Sequence, residues 1–220
     1  METVDQAQDT IAKELTSDDT GVRADYLKHF QPQVQRFCEA MARAFLNWRS
    51  LDIGASENDK LAHVSALVQT SITQHILSLK LFLSGYAVAS GAVFRQVLES
   101  VALALVCSGK ELGVLQKFMQ GKYSTNKAIQ DAMKHATRLG LEEDAIADLR
   151  QAQKFYHQFS HPSFHTIAAG VSFSQNTLYV GAAFDEGKLE SYTTEINNRI
   201  SLAEVFSNFV DTVRANVAKW

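Results

Sequence analysis

Proline is nearly missing from this chain, with Pro32 and Pro162 its only two among 220 residues. Proline inside a helix removes a hydrogen bond and clashes with the preceding turn, so its scarcity leaves room for long helices. Cysteine is as scarce: Cys38 and Cys107 lie far apart, each in an apolar, helix-patterned stretch. That excludes a disulfide framework and predicts two buried thiols in a reducing compartment. The sequence also lacks a phosphate-binding or dinucleotide glycine pattern, a Gly-x-Ser-x-Gly elbow and a Cys-x-x-Cys pair, so the corresponding catalytic templates do not apply. There is no excess of positive charge: 21 Lys and Arg against 24 Asp and Glu leave a net charge of −3. General attraction to phosphate backbones is thereby excluded, although a small local site is not. The acidic, polar start Met1 to Gln6 has neither the basic residues nor the apolar run of a signal peptide.

What the chain does have is hydrophobic periodicity. With 46% hydrophobic and 20% charged residues it has the composition of one globular domain, and the expectation is a single helical domain over 1–220. Apolar spacing of three and four predicts a first, peripheral helix over Val4–Leu15, within residues 1–17. A second begins near Val22 or Pro32 and ends at Trp48, carrying Val34, Phe37, Met41, Ala44 and Phe45. After a loop at Leu51 to Asn58, in which Ser56 or Asn58 is a candidate cap, a third helix runs from Asp59 to Leu83. Its partner, Tyr86 to Cys107, is apolar on nearly every side and belongs at the centre of a bundle. The stretch Ile76–Phe94 is long enough to span a bilayer, but its serines and glycines, with Arg95 and Glu99 following, favour a helical hairpin turning near Ser84–Ser90. The expectation is therefore no membrane span and a cytoplasmic location.

Ser108-Gly-Lys-Glu111 has the spacing of a capping box, and Gly121 and Gly140 are placed as stops for helices at Leu112–Gln120 and Asn126–Leu139. A helix over Glu142–His161 ends at Pro162. The period then changes to two around Val171, Phe173, Leu178 and Val180, with Gln175-Asn176-Thr177 as a turn, which predicts a β-hairpin within 167–184. A long final helix over Leu189–Lys219 carries Ile196, Ile200, Ala203, Phe206, Val210, Val213 and Val217. This near-heptad seam serves to close the bundle, to pair two copies, or both. The fold class is mainly α: a bundle of six to eight helices with one small hairpin before a long C-terminal helix.

Two sets of residues carry candidate chemistry. Arg95 and Glu99 are one turn apart on what should be the most buried helix, so each needs a partner. They form either an internal ion pair that fixes helix register or, with Tyr156, Ser160, His161 and His165, a polar pocket. The second set is the helix end Arg150 to His165. Arg150 and His157 are nearly two turns apart and point the same way, and His161 continues the row. His157, His161 and His165 have chelating potential, but a histidine at a helix carboxyl end is also favoured by the helix dipole alone.

Arg150-Gln151-x5-His157 resembles the Arg-x(4–6)-His motif of HEPN proteins in its longest spacing, and Arg95-x-x-x-Glu99 followed by Tyr156-x-x-x-Ser160-His161-Pro162 resembles an uncharacterised helical branch related to that group. The resemblance implies a dimeric helical bundle and, for many members, metal-independent RNA cleavage in toxin–antitoxin or phage-defence systems. In that reading His157 is the general acid or base at the ribose 2′-hydroxyl, and Arg150, with Lys154 beside it, holds the phosphate. The competing reading is a solvated polar face on a non-catalytic homodimer that acts through a surface or small polar pocket. The expected partners are a second copy and, in the HEPN-like reading, RNA, with no cofactor and no bound metal.

Overall fold

The structure, a computed structural model, describes residues 3–55 and 58–220. The chain order is α1 (Val4–Thr16), α2 (Thr20–Ile53), α3 (Asp59–Leu83), α4 (Ala87–Ser108), α5 (Val114–Met119), α6 (Ala128–Lys134), α7 (Ala136–Leu139), α8 (Glu143–Tyr156), α9 (Phe164–Ala169), β1 (Val171–Ser172), β2 (Thr177–Leu178) and α10 (Leu189–Val217). Among the described residues, six helices are 13 to 34 residues long and four are short. The expected mainly α bundle with a small hairpin and a long last helix is what forms.

The α3–α4 hairpin is the centre. It turns at Gly85, whose φ of +85° and close approach to the Ala183 backbone leave no room for a Cβ. Ser78 and Ser90 lock the two helices together, each hydroxyl donating to the other residue's carbonyl at 3.2 and 2.7 Å. α4 is long and apolar enough to cross a membrane, and 67% of its most apolar window is buried by its neighbours. It packs against α3 and α10 on one side, with α2 laid on those two, and against α6, α8 and the 3₁₀ turn His157–Ser160 on the other. Phe159 of that turn lies against Gly91, where a Cβ would collide with its ring.

Several local expectations shift. α2 runs through Pro32 for 34 residues, starting at Thr20, close to Val22 of the two expected starts, and ending at Ile53 rather than Trp48. Asn58 caps α3, accepting from the N–H groups of Lys60 and Leu61, while the alternative cap Ser56 lies outside the described residues. Ser108 forms no capping box: its hydroxyl donates to the Leu105 carbonyl at 2.7 Å, and only a 3₁₀ turn, Lys110–Leu112, follows. Cys107 is buried as expected, and burial pushes its thiol up to about 12. Cys38 is exposed, because it follows core-facing Phe37 by one residue and one helical position turns it through about 100°.

The hairpin pairs just two residues a side, Val171 with Leu178 and Ser172 with Thr177. Such a small ribbon needs an anchor, and Asp185 supplies it by accepting from the N–H groups of Phe173 at 2.6 Å and Gly187 at 3.0 Å. Burial opposes the charge on Asp185, but bonds from Ser174, Phe173 and Gly187 outweigh it and hold the carboxyl down at about 2. Lys188 then clips the hairpin to α9 by donating to the Ala168 and Ala169 carbonyls, both at 3.0 Å. The α10 stripe from Ile196 to Val213 is buried inside the chain's own core, so a contact between two copies must use other residues.

Candidate functional site

The polar centre of the molecule is Arg199. Its side chain is fully buried, yet every nitrogen donates: Nε to Ser78 Oγ at 3.0 Å, Nη2 to Ser90 Oγ at 2.7 Å, and Nη1 to Glu195 Oε2 at 2.7 Å and the Glu195 carbonyl at 2.8 Å. The rings of Phe82, Phe94 and Tyr156 surround the guanidinium at 5.1, 4.8 and 5.8 Å from its central carbon, a placement that favours a desolvated cation. His75 closes the cluster from α3. Its Nε2 donates to the Arg199 carbonyl at 3.0 Å while the ring stacks between Phe94 and Phe206. Burial, and secondarily the Arg199 charge, push His75 down to about 3, so its ring is neutral.

Glu195 and Tyr156 carry this cluster toward the surface. The Tyr156 hydroxyl donates to Glu195 Oε2 at 3.1 Å and accepts from Asn198 Nδ2 at 3.1 Å. Burial raises the Tyr156 hydroxyl well above its ordinary range. Buried Tyr156 and exposed Asn198 set polar groups along a cavity of about 600 Å³ between α8 and α10, which Phe94 and Leu98 of α4 also line. A second cavity, of about 290 Å³, continues it toward the end of α10. Ala145, Leu149, Leu202 and Val205 line both, so the two cavities adjoin along the gap between α8 and α10, hereafter the trough. On the other side of Tyr156 a third cavity, of about 250 Å³, is lined by Glu195, Lys188 and His165.

The residues singled out in the sequence are spread around this centre rather than gathered in one pocket. Tyr156 lines the trough and His165 the third cavity, whereas Arg95, Glu99, Ser160 and His161 line none of the three. Arg95 and Glu99 pair with each other at 3.0 Å, and Gln153 Nε2 donates to Glu99 at 3.4 Å. They are half-buried rather than deeply buried, because the position on α4 packs against α8 at its margin. Ser160 and His161 are exposed.

Arg150 and His157 are both exposed. On α8, Arg150 and Lys154 fall on the side away from Ala145, Leu149 and Ala152, which face the trough. His157 keeps right-handed backbone angles, but His161 leaves the helix with φ −141° and ψ 155° and does not continue the row as expected. Its ring still meets His157, with 4.7 Å between centroids. His165 turns away to pack on Phe155 and Phe159. Among the described residues, no group of three His, Cys, Asp or Glu side chains is placed to hold a metal ion.

Sequence reading missed His75, Glu195, Asn198 and Arg199. The signal was present in the spacing: Tyr192, Ile196, Arg199, Ala203, Phe206, Val210 and Val213 alternate by four and three, and all are buried. Arg199 occupies a seam position of a helix otherwise apolar along that line. Comparison with protein-family models, with curated proteins and with solved structures finds no match to this chain.

Proposed function

We propose that this chain is a non-catalytic binding protein, working as a homodimer, whose trough between α8 and α10 receives an apolar helical segment. The observation that carries the reading is a pair of adjoining cavities that share Ala145, Leu149, Leu202 and Val205 along one gap between helices. Apolar walls with a few oriented polar groups are the ordinary make-up of a binding groove, and an elongated one suits a helix. The polar groups fit an orienting role better than proton transfer. Tyr156 and Asn198 are already bonded to each other, and burial makes the phenol harder to ionise.

A fluorophore in the trough tests this. In a Cys38→Ser background, Val205→Cys places the label in the trough, since Cys107 is buried and its thiol is held at about 12. A synthetic amphipathic Leu/Ala helix should blue-shift the emission saturably, while a label on exposed Ser50 stays silent. No response at position 205 removes the reading.

A second reading is a HEPN-like metal-independent endoribonuclease using Arg150 and His157. It is supported by the exposure of both side chains and by the absence, among the described residues, of any hydrogen bond or ion pair that occupies them. Its test is cleavage of single-stranded RNA in a chelator, abolished by His157→Ala with the fold intact. Equal cutting by that variant removes it.

A further inference from the structure

The trough has a counterpart elsewhere in the same molecule. α1 is a 13-residue helix closed at its start by a reciprocal capping box between Thr3 and Gln6, and none of its residues is buried. An isolated helix of that length is marginal in water, because helices in proteins are stabilised mainly by packing an apolar face. α1 has such a face. Val4, Ile11 and Leu15 are 82%, 55% and 80% exposed, and they form one stripe at i, i+7 and i+11. The stripe is about 17 Å long at about 1.5 Å per residue.

α1 is also held so that this stripe stays turned outward. The Glu14 carboxylate accepts from the Ala182 N–H at 3.0 Å and from the Tyr86 hydroxyl at 3.3 Å. Glu14 and Ala7 lie on the edge of the helix beside the stripe, so the tether grips that edge and leaves Val4, Ile11 and Leu15 uncovered. No α1 residue lines the trough of its own chain.

From these two unpartnered surfaces we infer that the occupant of the trough is α1 of a second copy of this chain, exchanged reciprocally. The inference rests on the groove reading above and names its ligand. The dimensions agree: from Asn198 to Thr212 the α10 wall runs about 21 Å, enough for the whole stripe. The polarity agrees as well. The face that enters, Val4, Gln8, Ile11, Ala12 and Leu15, is uncharged, and the charged residues lining the trough are only Asp148 and Glu142. A lipid surface is the weaker match, because interfacial helices carry basic polar faces and α1 sets Asp5, Asp9 and Glu14 against Lys13 alone. Two identical docking events related by a two-fold axis give a closed dimer.

Two sets of full-length variants test this by sedimentation at micromolar concentration. Ile11→Asp with Leu15→Asp spoils the helix, and Ala145→Asp with Val205→Asp spoils the trough. All four positions are exposed, and an unchanged circular dichroism spectrum shows the fold is kept. The wild type should be a dimer, and each variant should weaken it by about a hundredfold or more, since carboxylates would enter an apolar contact unpaired. An equimolar mixture of the two variants should regain a heterodimer, because that pair retains one intact helix facing one intact trough. A monomeric wild type, a helix variant that still dimerises, or a mixture that stays monomeric overturns the inference. So does loss of binding to phosphatidylcholine–phosphatidylglycerol vesicles as the only effect of the helix variant. The labelled trough separates the two failures: if it still takes the synthetic helix, the groove stands and only the occupant is wrong.

Discussion

Arg95 with Glu99 on α4, and Arg199 with Glu195 on α10, are both Arg–Glu pairs one helical turn apart, closed at 3.0 and 2.7 Å. Their surroundings differ. The Arg95 and Glu99 side chains are 18% and 16% exposed, and solvent shares in their charge; Glu195 is alike at 17%, but the Arg199 side chain is 0% exposed. At the margin of the core a pair gains modest Coulomb energy and gives up side-chain freedom, so it adds little. In the interior a charge must find every partner within the protein or cost several kcal/mol. Arg199 finds them on three helices: Ser78 of α3, Ser90 of α4 and Glu195 of α10. The buried pair therefore fixes which helices meet and in what register, while the marginal pair decorates one contact between α4 and α8.

The sharpest way to break this comparison is to remove the buried guanidinium. Arg199→Ala would take its cationic partner from Glu195 and leave a hole where three helices meet. It should lower unfolding free energy by about 3–5 kcal/mol, read from urea midpoints. Arg199→Lys keeps the charge but not the fork that reaches Ser78, Ser90 and Glu195 together, and should recover only part of the loss. If Arg95→Ala costs as much as Arg199→Ala, the distinction between the two pairs fails.

Next in size is a pH effect centred on His75. Its folded value of about 3 lies below the ordinary 6.5, so the unfolded chain binds a proton that the native ring refuses. Stability from this group is full above about 6.5 and declines as the pH falls toward 3, by up to about 1.4 kcal/mol per pH unit. His75→Phe preserves the stack on Phe94 and Phe206 and should flatten the slope between pH 6.5 and 4. The readout is the difference between variant and wild type, which cancels the carboxylates common to both. An identical slope in the two proteins would show that His75 is not held neutral. Arg95→Ala, by contrast, should cost about 1 kcal/mol or less at any of these pH values, since a partly solvated pair is screened.

The same contrast explains what could be read from the sequence. The helical class, the α3–α4 hairpin, the stops at Gly121 and Gly140 and the long α10 follow from periodicity and turn chemistry, which act locally. Six to eight helices are expected and ten form among the described residues, because the expected helix over Asn126–Leu139 divides into α6 and α7 and the short α9 precedes the hairpin. The buried polar cluster did not stand out, because charge was sought beside the apolar stripes and not within them. On α3 four of the ten buried residues, Ser65, Ser71, His75 and Ser78, are polar. Ile76, apolar and on the same helix, is 48% exposed, whereas Ile72 is buried. Hydrophobicity alone cannot choose between adjacent stripes on a helix that is apolar over much of its surface. Tertiary partners choose, and Ser78 is inside because Arg199 needs it. The trough between α8 and α10 was beyond reach for a related reason, as it is a gap between helices 40 to 60 residues apart in the chain.

The smallest effect concerns the row that drew most attention in the sequence. Arg150 and His157 are exposed and make no hydrogen bond or ion pair among the described residues, so nothing in the fold depends on their charge. Arg150→Ala and His157→Ala should each leave stability within about 0.5 kcal/mol of wild type, the usual range for surface positions free of caps and networks. Measured by thermal unfolding at neutral pH, a larger loss would mean that this face packs against something, a second copy above all. A null result has its own use. It makes these two variants clean instruments for the RNA-cleavage test, in which any loss of cutting could then be assigned to chemistry, because the fold that presents Arg150 and His157 would be known to be unchanged.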